Sequence, residues 1–275
     1  MSTTTSTTAA PVASTRVSTS REVAKTLAVT SGKGGVGKTM VTANLAAALA
    51  ARGQKVLVLD ADLGLANLDV VLNLHPKITL HDVFTEKASL EQAILPAPGG
   101  FYVLLAGSGM VEYSRLTPEV RDKLLSIIDQ VKPRFDWVLL DTGAGISDVV
   151  LYAISLATDV LVVATPEPTS LTDAYATIKV LATQQDRRHV GLVVNQATRV
   201  GEGKLICGQL QQVLQRFVGP TPGQAFKLEL LAEVKSDLSV RQAVLKRQLL
   251  LEHFPGSDAA QAIKGLANKL LGNGG

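Results

Sequence analysis

The stretch Ser31-Gly-Lys-Gly-Gly-Val-Gly-Lys-Thr39 decides the fold of this chain. Its glycines and its final Lys-Thr pair have the spacing of a phosphate-binding loop, and a second lysine, Lys33, follows the first glycine. Glycines permit positive φ angles, with which consecutive backbone N–H groups turn toward one anion. Lys38 is expected to neutralise phosphate oxygens, and the Thr39 hydroxyl is expected to ligate Mg²⁺. The stretch therefore predicts a site for a nucleotide polyphosphate.

The residues on either side of this loop support the prediction. Residues 26–30 are a short apolar run that predicts a strand entering the loop. Residues 42–52 are rich in Ala and Leu and predict a helix leaving it, with the positive end of its dipole toward the anion. The order strand, glycine loop, helix is the context in which such a loop binds phosphate.

Alternation of short apolar runs with helical patterns continues through the chain. The predicted strands are 26–30, 55–59, 101–105, 137–140, 160–164, 190–194 and 227–231, and the predicted helices are 42–52, 118–131, 148–156, 170–184, 202–217 and 239–250. This order predicts a three-layer α/β fold with a mostly parallel, twisted sheet and helices on both faces. We expect one domain over residues 25–271, a disordered Ser/Thr-rich tail at 1–24 and a flexible end at 272–275.

Composition limits the remaining possibilities. The 275 residues are 46% hydrophobic but only 4% aromatic, which indicates an aliphatic core suited to strands buried on both faces. The single cysteine, Cys207, excludes a disulfide framework and a four-thiolate metal site within one chain. No apolar run reaches the roughly 18 residues of a membrane-spanning helix, and no secretory leader is recognisable, so we expect a cytoplasmic location.

Carboxylates stand where two of the predicted strands end. Asp60 and Asp62 follow the run 55–59, and Asp141 follows the run 137–140. In parallel sheets ligands bind at the carboxyl ends of the strands. A carboxylate beside a phosphate loop can enter the Mg²⁺ shell, and Asp141 fits that role best. Asp60 and Asp62 are two residues apart and project to one side, so one can serve the metal and the other an attacking water.

Two further features lie at the same edge of the predicted sheet. The Thr-Gly-Ala-Gly turn after Asp141 contains Gly143 and Gly145, which can move with the nucleotide state and offer N–H groups to the γ-phosphate. Asn195 ends another β run, and its amide offers a donor and an acceptor to an adenine edge.

With Lys33 in place, the phosphate loop resembles that of the MinD/ParA class of deviant-Walker ATPases, whose fold is a P-loop NTPase of the MinD (SIMIBI) type. Residues 56–74 (VLVLDADLGLANLDVVLNL), 139–148 (LLDTGAGISD) and 164–181 (ATPEPTSLTDAYATIKVL) resemble most the flagellar-number regulators, the FlhG/FleN family. The resemblance covers about residues 25–271. It implies that ATP and Mg²⁺ are cofactors and that ATP drives a face-to-face homodimer in which Lys33 reaches the partner's phosphates.

The resemblance also implies roles for individual residues. The catalytic residues would be Lys33, Lys38 and Asp62, of which Asp62 positions water. The Mg²⁺ site would use Thr39, Asp60 and Asp141. Contacts to ATP would come from Gly32, Lys33, Gly34, Gly35, Val36, Gly37, Lys38, Thr39, Met40, Asn195 and Val234. The implied activity is a slow ATPase that depends on dimerisation, because Lys33 acts in trans as an arginine finger does.

The leading functional prediction is an ATP-switched regulator of flagellar number or placement. Its expected partners are a flagellar transcription activator, a signal-recognition-type GTPase and flagellar switch proteins. The first alternative is a division-site regulator of the MinD kind that cycles on the inner membrane. The less favoured alternative is a ParA-type DNA-partition ATPase, since that role needs a basic surface and the lysines and arginines here are scattered. Nucleic acid is therefore an unexpected partner.

Three departures from the resemblance bear on these predictions. Lys235 stands where relatives usually carry proline, which affects the expected contacts to the base. The tail lacks the Asp-Gln-Ala core with which some flagellar relatives stimulate a GTPase. Residues 258–271 have an apolar stripe with few basic residues, so they are either the closing core helix, which we favour, or a weak anchor for peripheral membrane contact.

Overall fold

The computed structural model describes residues 23–64, 67–107, 113, 115–218 and 225–272. Most of the predicted tail and the last three residues lie outside this part of the chain. The strands are β1 (Lys25–Ser31), β2 (Val56–Ala61), β3 (Ile94–Pro96), β4 (Tyr102–Leu104), β5 (Trp137–Ala144), β6 (Asp159–Ala164), β7 (His189–Ala197) and β8 (Lys227–Lys235). The helices are α1 (Lys38–Ala50), α2 (Leu68–Leu72), α3 (Leu80–Phe84), α4 (Leu90–Ala93), α5 (Pro118–Val131), α6 (Asp148–Ser155), α7 (Pro168–Gln184), α8 (Glu202–Val218), α9 (Leu238–Leu245), α10 (Leu250–His253) and α11 (Asp258–Leu270).

The described strands form one eight-stranded sheet in the order β3-β4-β2-β5-β1-β6-β7-β8. Neighbouring strands are parallel except β3 and β4, which pair antiparallel at one edge. The predicted mostly parallel α/β sheet is therefore confirmed, and the edge strand β3 is an addition to it. Because β1 lies between β5 and β6, the loop that follows β1 leaves the middle of the sheet, beside the end of β5.

Two apolar clusters cover the two faces of the sheet. Successive β1 residues alternate between them: Leu27 and Val29 pack on the side of α1 and α11, and Ala28 packs on the side of α5 to α8. Ala24, one residue before the predicted start of the domain, is also buried in the second of these clusters. The chain thus has the helix, sheet, helix layering that its alternating sequence predicts.

Helix α1 is buried on all sides. Residues 40–49 are all buried, because the sheet covers one side of the helix and α11 covers another. Arg52, just after α1, ties these two helices together, since its guanidinium donates to the carbonyl oxygen of Lys264 and to the side-chain oxygen of Asn268. The helix that follows the phosphate loop is therefore held firmly in the domain.

The C-terminal part resolves one alternative and corrects one prediction. The apolar stripe of α11 packs against α1 and β8, with Ala259, Ile263 and Leu266 buried, so α11 is the closing core helix. The single helix predicted over 239–250 is wrong. The chain leaves α9 at Leu245, and Arg247 adopts a left-handed φ of 53°, which an α-helix cannot contain, before α10 begins. Within the described residues, every helix is too short or too polar to cross a membrane.

Candidate nucleotide-binding site

A cavity of about 890 Å³ lies at the carboxyl ends of the central strands. The predicted residues that line it are Gly34, Gly35, Gly37, Lys38, Thr39, Met40, Asp60, Asp62, Asp141, Gly143 and Asn195. The other predicted residues, which do not line it, are Gly32, Lys33, Val36, Gly145 and Val234. This volume suits a nucleotide, since small-molecule sites usually measure about 300–1,000 Å³.

The loop before α1 has the backbone of an anion site. Gly35 and Gly37 have φ angles of 78° and 97°, a region in which a side chain would be strained. Gly37 is the N-cap of α1, and no side chain caps this helix or adds an acidic group to its first turn in the described chain. The first N–H groups of α1 and the positive end of its dipole are therefore available to a phosphate.

Asn195 holds the loop in this shape. Its side-chain Nδ2 donates to the carbonyl oxygen of Val36 at 2.8 Å, and an added Cβ at Gly37 would lie only 2.4 Å from that nitrogen. Asn195 is buried, so this hydrogen bond is shielded from water. The Asn195 amide also has a second N–H and a side-chain oxygen, and its contact with an adenine edge stays a prediction.

Two buried carboxylates stand side by side next to the loop. Asp60 on β2 and Asp141 on β5 are direct partners in the register of these strands, and both point to the face that carries α1. The Thr42 hydroxyl of α1 donates to Asp141 Oδ1 at 3.1 Å. Burial raises the pKa of Asp141 to about 6, although a hydrogen bond from Thr39 and the charge of Lys38 oppose that rise. Burial and the charge of Asp141 also raise the pKa of Asp60 well above its usual range.

The donor set of this pair fits a magnesium ion. Asp60 Oδ1 accepts the backbone N–H of Asp62 at 3.2 Å, whereas Oδ2 is buried and has no hydrogen-bond partner among the described residues. A buried oxygen without a partner is costly, and a bound cation would remove that cost. Oxygen ligands from carboxylates and a threonine hydroxyl are those that Mg²⁺ prefers. Asp60, Asp141 and Thr39 can therefore hold this ion.

Asp62 and the predicted switch turn lie together on the loop side of β5. An added Cβ at Gly143 would stand 3.4 Å from Asp62 Oδ1, so the carboxylate lies against this glycine. Gly145 has a φ of 89°, and its N–H donates to the carbonyl oxygen of Ser31 at 2.8 Å. Residues 142–144 continue β5, so the predicted turn is wrong there, and Gly145 after the strand is joined by this hydrogen bond to the start of the phosphate loop.

Lys33 lies outside the cavity and binds α7 of its own chain. Its Nζ is 3.0 Å from Glu167 Oε2 and 3.0 Å from the Thr169 hydroxyl, while the Ser31 hydroxyl donates to the Lys33 carbonyl oxygen at 2.7 Å. The ion pair is open to solvent, with 40% of the Lys33 side chain and 63% of the Glu167 side chain exposed. Sequence reasoning missed Glu167 and Thr169, although both follow directly after the carboxyl end of β6.

Gly32 has a packing role in addition to its place in the loop. A Cβ at this position would lie 2.2 Å from the backbone carbonyl of Asp173 in α7, which no side chain can accommodate. The backbone of the loop and the backbone of α7 are therefore in direct contact. A glycine is needed here because of α7, whereas the sequence pattern assigned Gly32 only to phosphate binding.

Residues 235–241 form a further wall of the cavity, which we term the base-side wall. Lys235, Ser236 and Asp237 continue from β8, and Val240 and Arg241 belong to α9. The side chain of Val234, the residue predicted to contact ATP here, is fully buried and packs in the core. The residues that follow it are therefore the ones that face the cavity.

Comparison with known proteins shows the family of this chain. Residues 22–271 match the family model ParA, described as "NUBPL iron-transfer P-loop NTPase". The chain belongs to the ParA/MinD family of P-loop NTPases. It is 41% identical to the antiactivator FleN of Pseudomonas aeruginosa over 244 residues, which cover 89% of this chain and 85% of FleN. It is 30% identical to the flagellum site-determining protein YlxH of Helicobacter pylori, covering 90% of this chain and 82% of YlxH.

Solved structures of the ParA/MinD family have the same fold. The septum site-determining protein MinD of Pyrococcus horikoshii, complexed with Mg-ADP, superposes with a TM-score of 0.73 and is 30% identical, covering 90% of this chain and 96% of MinD. Members of the ParA/MinD family are ATPases, and the cofactors of this chain are ATP and Mg²⁺. When bound, Mg²⁺ supplies positive charge to the β- and γ-phosphate oxygens.

Proposed function

We propose that this ParA/MinD-family ATPase is an ATP-driven dimerisation switch that regulates the number or placement of flagella. The observation that carries the flagellar role is the likeness to FleN, which extends over nearly the whole of both chains. The likeness to YlxH supports the same role. A flagellar transcription activator, a signal-recognition-type GTPase and flagellar switch proteins are the proposed partners.

The surroundings of Lys33 support the switch. Because its ion pair with Glu167 is exposed, exchanging that pair for the phosphates of a second protomer costs little desolvation. A lysine supplied in trans then adds positive charge to the transition state, so that hydrolysis requires the dimer. The segment from Gly143 to Gly145, at the end of β5, changes with the nucleotide, since Gly145 is bonded to the start of the loop.

Within one protomer we assign the remaining roles as follows. Lys38 binds phosphate, Thr39, Asp60 and Asp141 hold the metal, and Asp62 orients the attacking water. The glycine-rich loop from Gly32 to Met40 and Asn195 surround the nucleotide, and residues 235–241 face its base. Asp62 suits its role because it lies at the cavity and beside the switch turn.

A MinD-like division-site role on the membrane is the second candidate. It is supported by the overall likeness to MinD structures. The apolar stripe of α11 is buried in the domain, however, so this helix cannot place that stripe in a lipid surface while the domain stays folded. The iron transfer named in the family model is not proposed, because Cys207 offers a single thiolate per chain.

The mass of the protein in solution tests the switch. With a non-hydrolysable ATP analogue and Mg²⁺, light scattering after size exclusion should show a dimer, and with ADP it should show a monomer. ATP turnover per molecule should rise with protein concentration in the wild type, and Lys33→Ala should lose that activity while it still binds ATP. A monomer with both nucleotides, or turnover independent of concentration, would contradict the switch.

The flagellar role needs a separate test in the source organism. A deletion strain should have an altered number or arrangement of flagella by electron microscopy. Expression of the wild type should restore the original pattern, and expression of Lys33→Ala should not. An unchanged pattern in the deletion strain would refute this role and leave the dimerisation result unaffected.

A further inference from the structure

Asp237 joins two helices at the base-side wall. Its Oδ1 accepts the backbone N–H of Ser239 at 2.8 Å, so it is the N-cap of α9. Its Oδ2 accepts the backbone N–H of Ala259, in the first turn of α11, at 3.4 Å. One carboxylate therefore connects the N-termini of α9 and α11. Partial burial of Asp237 opposes its ionisation, but the hydrogen bonds from these two N–H groups outweigh burial and lower its pKa.

Two other contacts hold the same segment. Lys235 Nζ is 2.8 Å from Oδ2 of Asp258, the first residue of α11. On the opposite side of the segment, the Ser236 N–H donates to the carbonyl oxygen of Ala197, at the end of β7, at 2.8 Å. The base-side wall is thus attached to α11 by two side chains and to the sheet by its backbone.

The attachment to α11 reaches the phosphate loop through the domain core. Helix α11 packs along α1, and Arg52 bonds the two together. Helix α1 begins at Lys38, inside the phosphate site. Side-chain contacts and packed helices therefore form a continuous connection between the base-side wall and the phosphate loop.

We propose that Asp237 is a positioning residue for the nucleotide base: it holds the base-side wall at a fixed distance from the phosphate loop, and the Lys235–Asp258 ion pair reinforces it. This inference rests on the proposed placement of the base against residues 235–241. Loss of Asp237 should loosen the wall but leave the phosphate loop unchanged. The contribution of the base to the binding affinity can then be measured separately from that of the triphosphate.

Binding of two probes to the full chain tests this role. The probes are a non-hydrolysable ATP analogue and inorganic triphosphate, each with Mg²⁺, measured by calorimetry. Asp237→Ala should raise the Kd for the ATP analogue about tenfold, as expected for the loss of a hydrogen bond to a charged group, with little change for triphosphate. Asp237→Ser keeps a helix cap but is too short to reach Ala259, so it should show a smaller loss of the same selective kind.

Two further variants separate positioning from general stability. Exchange of the charges, Lys235→Asp with Asp258→Lys, should restore most of the ATP affinity lost by Lys235→Asp alone. Lys269→Ala removes the bond from Nζ to the Leu231 carbonyl oxygen, a contact of α11 with β8 outside the wall, and should change neither affinity. The thermal unfolding midpoint without ligand identifies any variant that is not folded, and Asp237→Ser then takes the place of Asp237→Ala.

The outcomes distinguish the role of Asp237 from the placement of the base on which it rests. An equal loss for both probes, or no loss for either, would overturn the role of Asp237. If the wild type binds the ATP analogue no better than triphosphate, the placement of the base itself is wrong. A selective loss for the ATP analogue, with triphosphate binding retained, supports both.

Discussion

Lys33 and Lys38 belong to one loop but have opposite surroundings. Lys38 begins α1 and lines the cavity, and its charge opposes the rise in the pKa of Asp141 that burial causes. Lys33 lies outside the cavity and forms an exposed ion pair with Glu167, the N-cap residue of α7. One lysine thus lies beside a buried carboxylate at the cavity, and the other is held by a contact that water can replace.

The different surroundings of Lys38 and Lys33 suit two different roles, nucleotide binding for Lys38 and dimerisation for Lys33. Removing a positive charge beside a buried carboxylate such as Asp141 is costly, because the carboxylate then remains without compensation. Exposed ion pairs contribute little and can be exchanged. A loop with one lysine of each kind can hold a nucleotide in a fixed way while its other lysine changes partner. The contact of Gly32 with the α7 backbone keeps the two surroundings next to each other.

Replacement of Lys38 should produce the largest effect. Lys38→Ala removes charge-assisted hydrogen bonds to phosphate, each with a free energy of about 1.5–3 kcal/mol, so ATP affinity should fall about 1000-fold. Lys33→Ala is the matched control and should bind ATP within about threefold of the wild type, since its partner is exposed. Calorimetry with a non-hydrolysable analogue measures both. Equal losses in the two variants would remove the distinction between the lysines.

Asp62 should affect turnover rather than binding. Asp62→Ala should lower the ATPase rate about 100-fold, the scale of one acid or base that orients the nucleophile. The affinity for ATP should stay near that of the wild type, because Asp60 and Asp141 remain to hold the metal. Light scattering should then show a dimer that persists with ATP itself. Normal turnover in this variant would exclude Asp62 from the reaction.

Most residues predicted for the phosphate side of the site line one cavity, because their positions are set by local geometry. Glycines at positive φ and acids at the ends of buried strands leave a direct mark on the sequence, as Gly37, Asp60 and Asp141 illustrate. The partners of Lys33 cannot be recognised from the sequence in this way. Glu167 and Thr169 meet Lys33 only because β6 pairs with β1, a contact between distant parts of the chain.

Dependence on contacts and backbone conformations that the sequence does not show also explains where the observed fold differs from the predicted one. Apart from β4, the parallel strands have six to nine residues, whereas β3 is a three-residue edge strand that depends on its pairing with β4. The break between α9 and α10 depends on the left-handed conformation of Arg247, a residue type that gives no sign of it. Val234 was predicted to contact ATP, but side chains alternate between the two faces of β8, and that of Val234 lies in the core.

Replacement of Glu167 should produce the smallest effect. It tests the comparison of Lys33 with Lys38 by removing the partner of Lys33 instead of the lysine itself. Glu167→Gln keeps the size of the side chain but removes the charge that holds Lys33 in its own chain. The protein concentration needed for ATP-dependent dimerisation should fall about threefold, in keeping with the loss of an exposed ion pair, and ATP affinity should not change. Glu91→Gln is the matched control, because Glu91 is also 63% exposed and pairs with Arg134 at 2.9 Å away from the loop. Weaker dimerisation of Glu167→Gln, or the same dimerisation as in Glu91→Gln, would mean that release of Lys33 does not limit the switch.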